Sequence, residues 1–159
     1  MSITGLSKPL VDYICNIPLF ESLNRDELDT VAEYMVHRNL KAGELLFNQW
    51  ERADYVCFVE DGTLDVLKKE GPDEYASVIT VSRGRSIGEM ALIDSFPWTA
   101  RVQAKTDVGL VILYKHKFEE LMADHLQVGI KILKGLARLM AQNLRKTSSR
   151  LADYMLPLG

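Results

Sequence analysis

The chain has 159 residues, enough for one domain with a full hydrophobic core. Its hydrophobic content of 47% and charged content of 26% are typical of a globular protein and not of a disordered or membrane one. The net charge of −3 is too small to indicate a strongly charged partner by itself. No apolar run approaches the ~20 residues that span a bilayer, and the first five residues lack a signal-peptide pattern. From the lack of a spanning run we expect no membrane binding. Cys15 and Cys57 fit no disulfide or metal motif, which favours a reducing compartment, so we also expect a cytoplasmic protein.

The first predicted element is a helix that begins after Asn24. Asn24 is a favourable N-cap residue, and Glu27 stands three residues later, as in a capping box. The preceding segment 17–20 is predicted to join this helix to the core. Apolar residues then recur at helical spacing, namely Leu28, Val31, Ala32 and Met35.

Between Leu40 and Tyr114 the pattern changes to short β runs separated by turn residues. Asp61-Gly62 lies between two such runs and predicts a two-residue hairpin. A loop containing Gly71-Pro72 is predicted before the next run. Many short strands with frequent turns favour a β-barrel or jelly roll. The predicted runs are 45–47, 55–60, 63–68, 77–81, 100–105 and 108–113.

The C-terminal part is predicted to be helical, with a short segment 116–122 and then a long helix. Apolar positions in the long helix alternate in steps of three and four, which is a heptad pattern and predicts a homodimeric coiled coil. The alternative is a helix packed on its own barrel through Leu136 and Leu139. The predicted dimer interface comprises Ile130, Leu133, Ala137, Met140, Leu144 and Leu151.

The same helix is basic, because six lysine and arginine residues and only one acid follow Leu126. A basic helix attached to an acidic body could bind nucleic acid, an anionic membrane surface or an acidic protein. Such a helix is also typical of a solvated face that complements the charge of its own domain, and we favour this interpretation.

The most specific motif is Gly88-Glu89-Met90-Ala91-Leu92, followed by Pro97-Trp98-Thr99-Ala100-Arg101-Val102. It resembles the phosphate-binding cassette of cyclic-nucleotide-binding domains, whose pattern is G-E-(aliphatic)-A-L, a spacer, and P-R-(S/T/A)-A-(S/T)-(V/I). Residues 40–44 and 55–65 are also similar to that family, and the resemblance covers roughly residues 17–150.

This resemblance implies a mostly β fold: an eight-stranded jelly-roll barrel with N-terminal helices and a long C-terminal helix. We therefore expect a jelly-roll domain over residues 1–125 and a dimerising helix over residues 126–159. The likeness is greatest to bacterial regulators related to the catabolite activator. Those proteins continue into a helix-turn-helix domain, so DNA binding in the usual family manner is not expected for this chain.

The resemblance also predicts how a ligand would be held. Gly88 would let the backbone approach a phosphate, and Glu89 resembles the carboxylate that binds the ribose 2′-hydroxyl. Trp98 stands where the family has its phosphate-pairing arginine, and an uncharged indole cannot replace a guanidinium. Losing such a bond, worth ~1.5–3 kcal/mol, weakens binding by tenfold to over a hundredfold. The candidate ligand residues are Gly88, Glu89, Met90, Ala91, Trp98, Thr99, Ala100 and Arg101.

Two further residues bear on that site. Arg101 could substitute for the missing arginine, although a separation of three along a strand points it away from the face of Trp98. The corresponding family position nevertheless faces the ligand, so both orientations stay open. Trp50 occupies a turn position where glycine is common in the family, which puts the usual conformation of that loop in question.

These features predict a non-catalytic regulatory domain that senses cAMP, cGMP or a related ligand, with affinity reduced by Trp98. The alternative is a ligand-free homodimer that recruits another protein. A metal-dependent jelly-roll enzyme would need clustered histidines, whereas His37, His116 and His125 are far apart in the sequence. No nucleophile or phosphate-loop motif is present, so we expect neither catalysis nor a metal.

Overall fold

Eight β-strands in two sheets form the centre of the computed structural model, which describes residues 7–155. The outer residues of the two predicted units, 1–6 and 156–159, lie outside this range. The strands are β1 Val36–Leu40, β2 Leu45–Phe47, β3 Tyr55–Asp61, β4 Leu64–Gly71, β5 Glu74–Val81, β6 Ser86–Ile87, β7 Arg101–Ala104 and β8 Val108–Tyr114. The α-helices are α1 Ser7–Ile14, α2 Arg25–Ala32, α3 Lys115–Asp124 and α4 Leu126–Met155, with 3-10 helices at Pro18–Phe20 and Glu89–Leu92.

Both sheets are antiparallel and contain four strands. The first has the order β1-β8-β3-β6 and the second the order β2-β7-β4-β5. The prediction of eight strands flanked by helices is therefore confirmed, while a closed barrel stays a prediction. One core cluster lies between the first sheet and the helices, around Phe58, Phe118 and Ile132. A second lies between the sheets and includes Leu64, Trp98 and Leu110.

The hairpin predicted at Asp61-Gly62 was wrong. β3 pairs on one edge with β8 and on the other with β6, so no edge of β3 remains for β4. The dipeptide instead carries the chain from the first sheet to the second. Gly62 has a φ of 81°, and a Cβ atom there would collide with the backbone oxygen of Asp107. The dipeptide therefore marked a tight turn, but the turn joins two different sheets.

The tight hairpin lies instead between β4 and β5. Gly71 is paired with Glu74, so only Pro72 and Asp73 lie between the two strands. Asp73 has a φ of 66°, a left-handed conformation that aspartate tolerates better than most residues. The sequence predicts strands over 63–68 and 77–81 with a loop between them, so the end of β4 and the start of β5 fall in the predicted loop.

The predicted capping box of α2 is confirmed. The Glu27 amide donates to Asn24 Oδ1 at 2.9 Å, and the Asn24 amide donates to Glu27 Oε1 at 3.0 Å. Behind this cap Leu28 and Val31 are buried, as their spacing predicted. The Glu27 carboxylate also accepts a hydrogen bond from Lys131 Nζ at 2.7 Å, which ties α2 to α4.

Helix α4 has two different halves. Its first half packs on the body through Val128, Ile132 and Leu136, while partly buried Leu139 borders the same core cluster. Gly135 lies directly against the carbonyl oxygen of Leu19. Beyond Leu136 no side chain up to residue 155 is buried. The second half therefore extends away from the core with both its apolar and its basic residues exposed.

Candidate ligand-binding site

The two parts of the cassette motif come together around one cavity of about 380 Å³. Gly88, with a φ of 90°, precedes the 3-10 helix Glu89–Leu92, and residues 97–100 form the opposite side. All the predicted ligand residues except Arg101 line this cavity. Its volume is at the lower end of the range for small-molecule sites, ~300–1,000 Å³. The fold thus brings the cassette segments into a concave site.

Trp98 is a buried wall of the cavity, with only 8% of its surface exposed. Its ring lies parallel to Phe47, at 3.8 Å between centroids and 9° between planes, and the Tyr55 ring lies at a steep angle to it, 5.5 Å between centroids. On its outer edge Cη2 would be 2.5 Å from a Cβ atom built on Gly88. The indole therefore covers the surface of Gly88 that the family motif predicts to face a phosphate.

Arg101 is held outside the cavity lining. Its Nε donates to Asn48 Oδ1 at 2.7 Å, and its guanidinium carbon lies 3.9 Å from the centre of the Tyr75 ring. A cation over an aromatic face is a favourable arrangement that a move toward the cavity would break. Its position is consistent with the opposite-face orientation expected from the three-residue separation.

The loop containing Trp50 fastens the cassette to the second sheet. The Trp50 amide donates to the Trp98 carbonyl at 2.7 Å, and the Trp98 amide donates to the Glu51 carbonyl at 2.9 Å. Trp50 has a φ of 70° and 67% of its surface is exposed. The loop therefore has the left-handed backbone that glycine favours, although a bulky residue occupies the position.

The electrostatic character of the cavity is acidic. Glu89 and Asp94 line it, whereas no lysine, arginine or histidine does so among the described residues. The Glu89 carboxylate accepts a short hydrogen bond from the Ser86 hydroxyl. Burial raises the pKa of the nearby Cys57 thiol to about 12, and the negative charge of Glu89 adds to that effect. Two lysines lie beside the lining: Lys68 Nζ donates to the Thr99 carbonyl at 2.7 Å, and Lys115 Nζ donates to the Ser95 hydroxyl at 2.9 Å.

Sequence reasoning missed the aromatic support for Trp98 and the second carboxylate. Phe47 and Tyr55 come from β2 and β3, far from the cassette in sequence, and nothing in their local pattern indicated the contact. Asp94 lies within the spacer that the family motif leaves unspecified. The Phe96 backbone amide donates a hydrogen bond to Asp94 Oδ1 at 3.1 Å. The spacing of two residues between Asp94 and Phe96 was the only local indication of this turn.

The predicted dimer residues lie in two environments. Ile130 is partly buried, and Leu133 is packed against the core of its own domain, whereas Ala137 is exposed. The distal residues Met140, Leu144 and Leu151 are 43%, 68% and 57% exposed. A groove of about 520 Å³ also runs between the cassette helix and α4, and Glu89 and Met90 line both this groove and the cavity.

No group of three or more histidine, cysteine, aspartate and glutamate residues between 7 and 155 is arranged to hold a metal ion. Within the same range no helix is both long and apolar enough to cross a membrane.

The family described as "Cyclic nucleotide-binding domain" matches residues 37–125. Over 107 residues the chain is 33% identical to a cAMP-dependent protein kinase regulatory subunit of Blastocladiella emersonii, covering 67% of this chain and 27% of that protein. A regulatory subunit of Dictyostelium discoideum is 30% identical over 115 residues, covering 72% of this chain and 35% of that protein. The chain thus spans about a third or less of the length of these relatives.

A solved structure gives a third comparison. The N-terminal domain of a transcriptional regulator from Streptomyces coelicolor A3(2) superposes with a TM-score of 0.73 at 27% identity, covering 84% of this chain and 91% of that chain. Together with the matched family pattern, which includes the cassette and most strands of both sheets, these similarities show that this chain belongs to the cyclic nucleotide-binding domain family.

Proposed function

We propose that this chain is a non-catalytic regulatory domain that senses a ligand related to a cyclic nucleotide but binds cAMP and cGMP only weakly. The observation that carries the proposal is the contact between Trp98 and Gly88, with Cη2 2.5 Å from the Cβ position of Gly88. The regulatory role is supported by relatives that are regulatory subunits of cAMP-dependent protein kinase.

Weak binding follows from what a cyclic phosphate would meet in the cavity. It would lose a charge-assisted hydrogen bond, worth ~1.5–3 kcal/mol, because indole carries no charge. Arg101 could supply one only by leaving Asn48 and Tyr75. The phosphate would also approach the carboxylates of Glu89 and Asp94. These effects act in the same direction and predict a loss of at least tenfold to a hundredfold in affinity.

Signal transmission would use the cassette helix. Glu89 and Met90 line both the cavity and the groove beside α4, so a ligand that moved this helix would alter the surface against Leu139 and Leu144. A ligand shifts such an equilibrium only if it binds the two arrangements with different affinity. The proposed output is therefore a change in the position or partner of α4.

The test is calorimetric titration of cAMP and cGMP into the natural protein and into the Trp98→Arg variant. We expect weak or undetectable binding by the natural protein and a gain of at least tenfold in the variant. Trp50→Arg is the matched control, because it introduces the same charge at an exposed position that does not line the cavity. Tight binding of either nucleotide by the natural protein would contradict the proposal.

A second candidate function is a ligand-free homodimer that recruits another protein. It is favoured by the exposed apolar side chains on the distal half of α4, Met140, Leu144, Leu151 and Tyr154. They continue the heptad pattern over a part of the helix that has no contact with its own core. A second copy would bury them, since parallel coiled coils place such residues against their equivalents.

Light scattering coupled to size exclusion tests the homodimer. The variant Leu144→Glu should be a monomer, whereas Arg145→Glu, one residue away and outside the heptad seam, should keep the mass of the natural protein. A functional dimer is expected to have a Kd of about 1 μM or tighter, a free energy of association of ~8 kcal/mol, and would be almost fully formed at about 100 μM. A natural protein that is monomeric at that concentration would therefore contradict this candidate.

A further inference from the structure

We infer that the cassette cavity binds an uncharged purine nucleoside in preference to the corresponding cyclic nucleotide. This inference rests on the proposed function, because it names the ligand class for the same cavity. Its basis is the charges, hydrogen-bond partners and apolar surfaces around the cavity.

The described lining of the cavity offers no positive charge to a phosphate. A bound phosphate needs a cation or several free donors, and the described lining residues include no basic side chain. Three cations that lie beside the lining residues have contacts with other groups, and one of them is Lys115, which donates to the Ser95 hydroxyl at 2.9 Å. Arg101 is bound to Asn48 and lies over Tyr75, and Lys68 donates to the Thr99 carbonyl. Since none of these side chains lines the cavity, a phosphate would gain a cationic partner only if one of them moved toward it.

The second step concerns negative charge. Glu89 and Asp94 line the cavity, and neither forms an ion pair within residues 7–155. A carboxylate repels a phosphate but accepts hydrogen bonds from hydroxyl and amino groups. Glu89 is therefore suited to the ribose 2′-hydroxyl that both kinds of ligand carry, and to the 3′-hydroxyl that only the nucleoside leaves free. The charge of the cavity selects against the phosphate alone.

The third step concerns the rest of the lining, which is apolar and aromatic. Phe47, Trp98 and Phe96 contribute ring surface, and Val66, Ile87 and Met90 contribute aliphatic surface. Flat heteroaromatic rings pack favourably on such surfaces. A cavity of about 380 Å³ is at the lower end of the range for small-molecule sites. Removing the phosphate from a purine 3′,5′-cyclic nucleotide leaves a smaller, uncharged nucleoside that keeps the ring and the 2′-hydroxyl and gains a free 3′-hydroxyl.

The probe for the test is Trp98 itself. The chain has two tryptophans, so Trp50→Gly leaves Trp98 as the only indole, and glycine suits the left-handed backbone at residue 50. Adenosine, guanosine, cAMP and cGMP are titrated against the fluorescence of this variant. Calorimetry on the natural protein then checks that the substitution has not changed the affinities. We expect at least one nucleoside to bind at least tenfold more tightly than its cyclic nucleotide.

The variant Glu89→Gln tests the proposed contact. It should weaken nucleoside binding severalfold and cyclic nucleotide binding less, because the loss of this one charge weakens the hydroxyl contact in both ligands but relieves repulsion only of the phosphate. Asp73→Asn is the matched control: it removes a carboxylate in the β4–β5 turn, where asparagine also tolerates a φ of 66°.

Two outcomes overturn the inference. One is the absence of binding by both nucleosides at about 1 mM, a concentration that detects even interactions of ~4 kcal/mol. The other is a cyclic nucleotide that binds as tightly as its nucleoside. The first leaves the proposed weak response to cAMP and cGMP intact. That proposal fails separately, if the natural protein binds a cyclic nucleotide as tightly as Trp98→Arg does.

Discussion

The edge of the Trp98 indole lies over the Cα atom of Gly88, with Cη2 2.5 Å and Cζ3 2.9 Å from the place where a Cβ atom would stand. Each residue makes the other possible. An indole of this size fits only beside a residue without a side chain, and Gly88 is covered because an aromatic ring stands at residue 98. Trp98 is therefore part of the core cluster between the two sheets.

Gly88→Ala should therefore destabilise the domain by about 2–4 kcal/mol. The new methyl group would overlap Trp98 and lie 2.9 Å from the Tyr55 carbonyl oxygen, and the φ of 90° is unfavourable for alanine. Urea unfolding followed by circular dichroism measures the change in the free energy of unfolding.

Gly84→Ala is the control for that experiment. Gly84 has a φ of 84°, but no atom lies within 4 Å of its Cβ position. The Gly84→Ala variant therefore has the backbone penalty of ~1–2 kcal/mol but no overlap with Trp98. Equal losses in the two variants would show that the indole does not press on Gly88.

Trp50→Gly should stabilise the domain or leave its stability unchanged. Trp50 is 67% exposed, so its removal loses little packing, while its φ of 70° is unfavourable for any residue with a Cβ atom. We expect a gain of up to ~1 kcal/mol in the free energy of unfolding, reduced by the greater freedom of glycine in the unfolded chain. Trp50→Ala keeps the backbone penalty and should be less stable than Trp50→Gly. The reverse order would show that the indole itself holds the loop.

The cassette and the capping box of α2 could both be predicted from the sequence because each is a local pattern. Gly88 and Glu89 are adjacent, and Asn24 and Glu27 bond to each other across one helical turn. Such patterns need no information about the rest of the fold. The turn at Asp61-Gly62 was also local, but its outcome depended on which strands already occupied the two edges of β3.

The packing of Trp98 and the contacts of Arg101 could not be predicted, because they depend on residues that are distant in the sequence. Phe47 stacks on Trp98, and Tyr75 lies beneath the Arg101 guanidinium. Both partners come from other strands of the second sheet, and their positions depend on the register of β2 and β5. A single sequence shows that an arginine is missing from the motif. It does not show what fills the space.

Gly135→Ala should destabilise the domain although alanine is the better helix former. In an open helix this change gains ~1 kcal/mol. Here the new Cβ atom would collide with the backbone oxygen of Leu19, which cannot rotate away, so α4 must shift from the 3-10 helix Pro18–Phe20. We expect a net loss of ~1–3 kcal/mol in urea unfolding.

Gly129→Ala provides a comparison within the same helix. Its Cβ atom would stand 2.5 Å from Met122 Cγ, the middle of a flexible side chain, and 3.1 Å from Met122 Cα. Methionine adapts to such crowding better than a carbonyl group does. Gly129→Ala should therefore cost less than Gly135→Ala, and a larger loss at residue 129 would contradict the proposed contact with Leu19.

The pair formed by Glu27 and Lys131 should give a stability contribution that depends on pH. The Lys131 ammonium, and then the Asn24 amide, hold the pKa of Glu27 below its usual range. A carboxyl whose pKa is lower in the folded state stabilises the fold above its unfolded pKa of ~4.3 and loses that effect as the pH falls. Glu27→Gln should therefore cost ~0.5 kcal/mol near pH 7, an amount typical of partly exposed ion pairs.

That cost should disappear as the pH falls from about 5 through the lowered pKa of Glu27, in urea unfolding series at several pH values. Glu44→Gln is the control, since Glu44 is exposed and forms no ion pair within the described residues. A difference between Glu27→Gln and the natural protein that stays constant down to pH 3 would rule out the charge of Glu27 as its cause.

Cys15 and Cys57 should differ sharply in reactivity toward a disulfide reagent. Cys15 is exposed, whereas Cys57 is fully buried in β3 and burial raises the pKa of its thiol to about 12. At pH 8 its thiolate fraction is on the order of one in ten thousand, and only the thiolate is nucleophilic. The native protein should therefore release one equivalent of chromophore quickly and a second only in urea.

In Cys15→Ser the fast phase should vanish, and the remaining thiol should react at the rate at which β3 becomes exposed. A fast equivalent in native Cys15→Ser would show that β3 opens without global unfolding, contrary to its central place between β8 and β6.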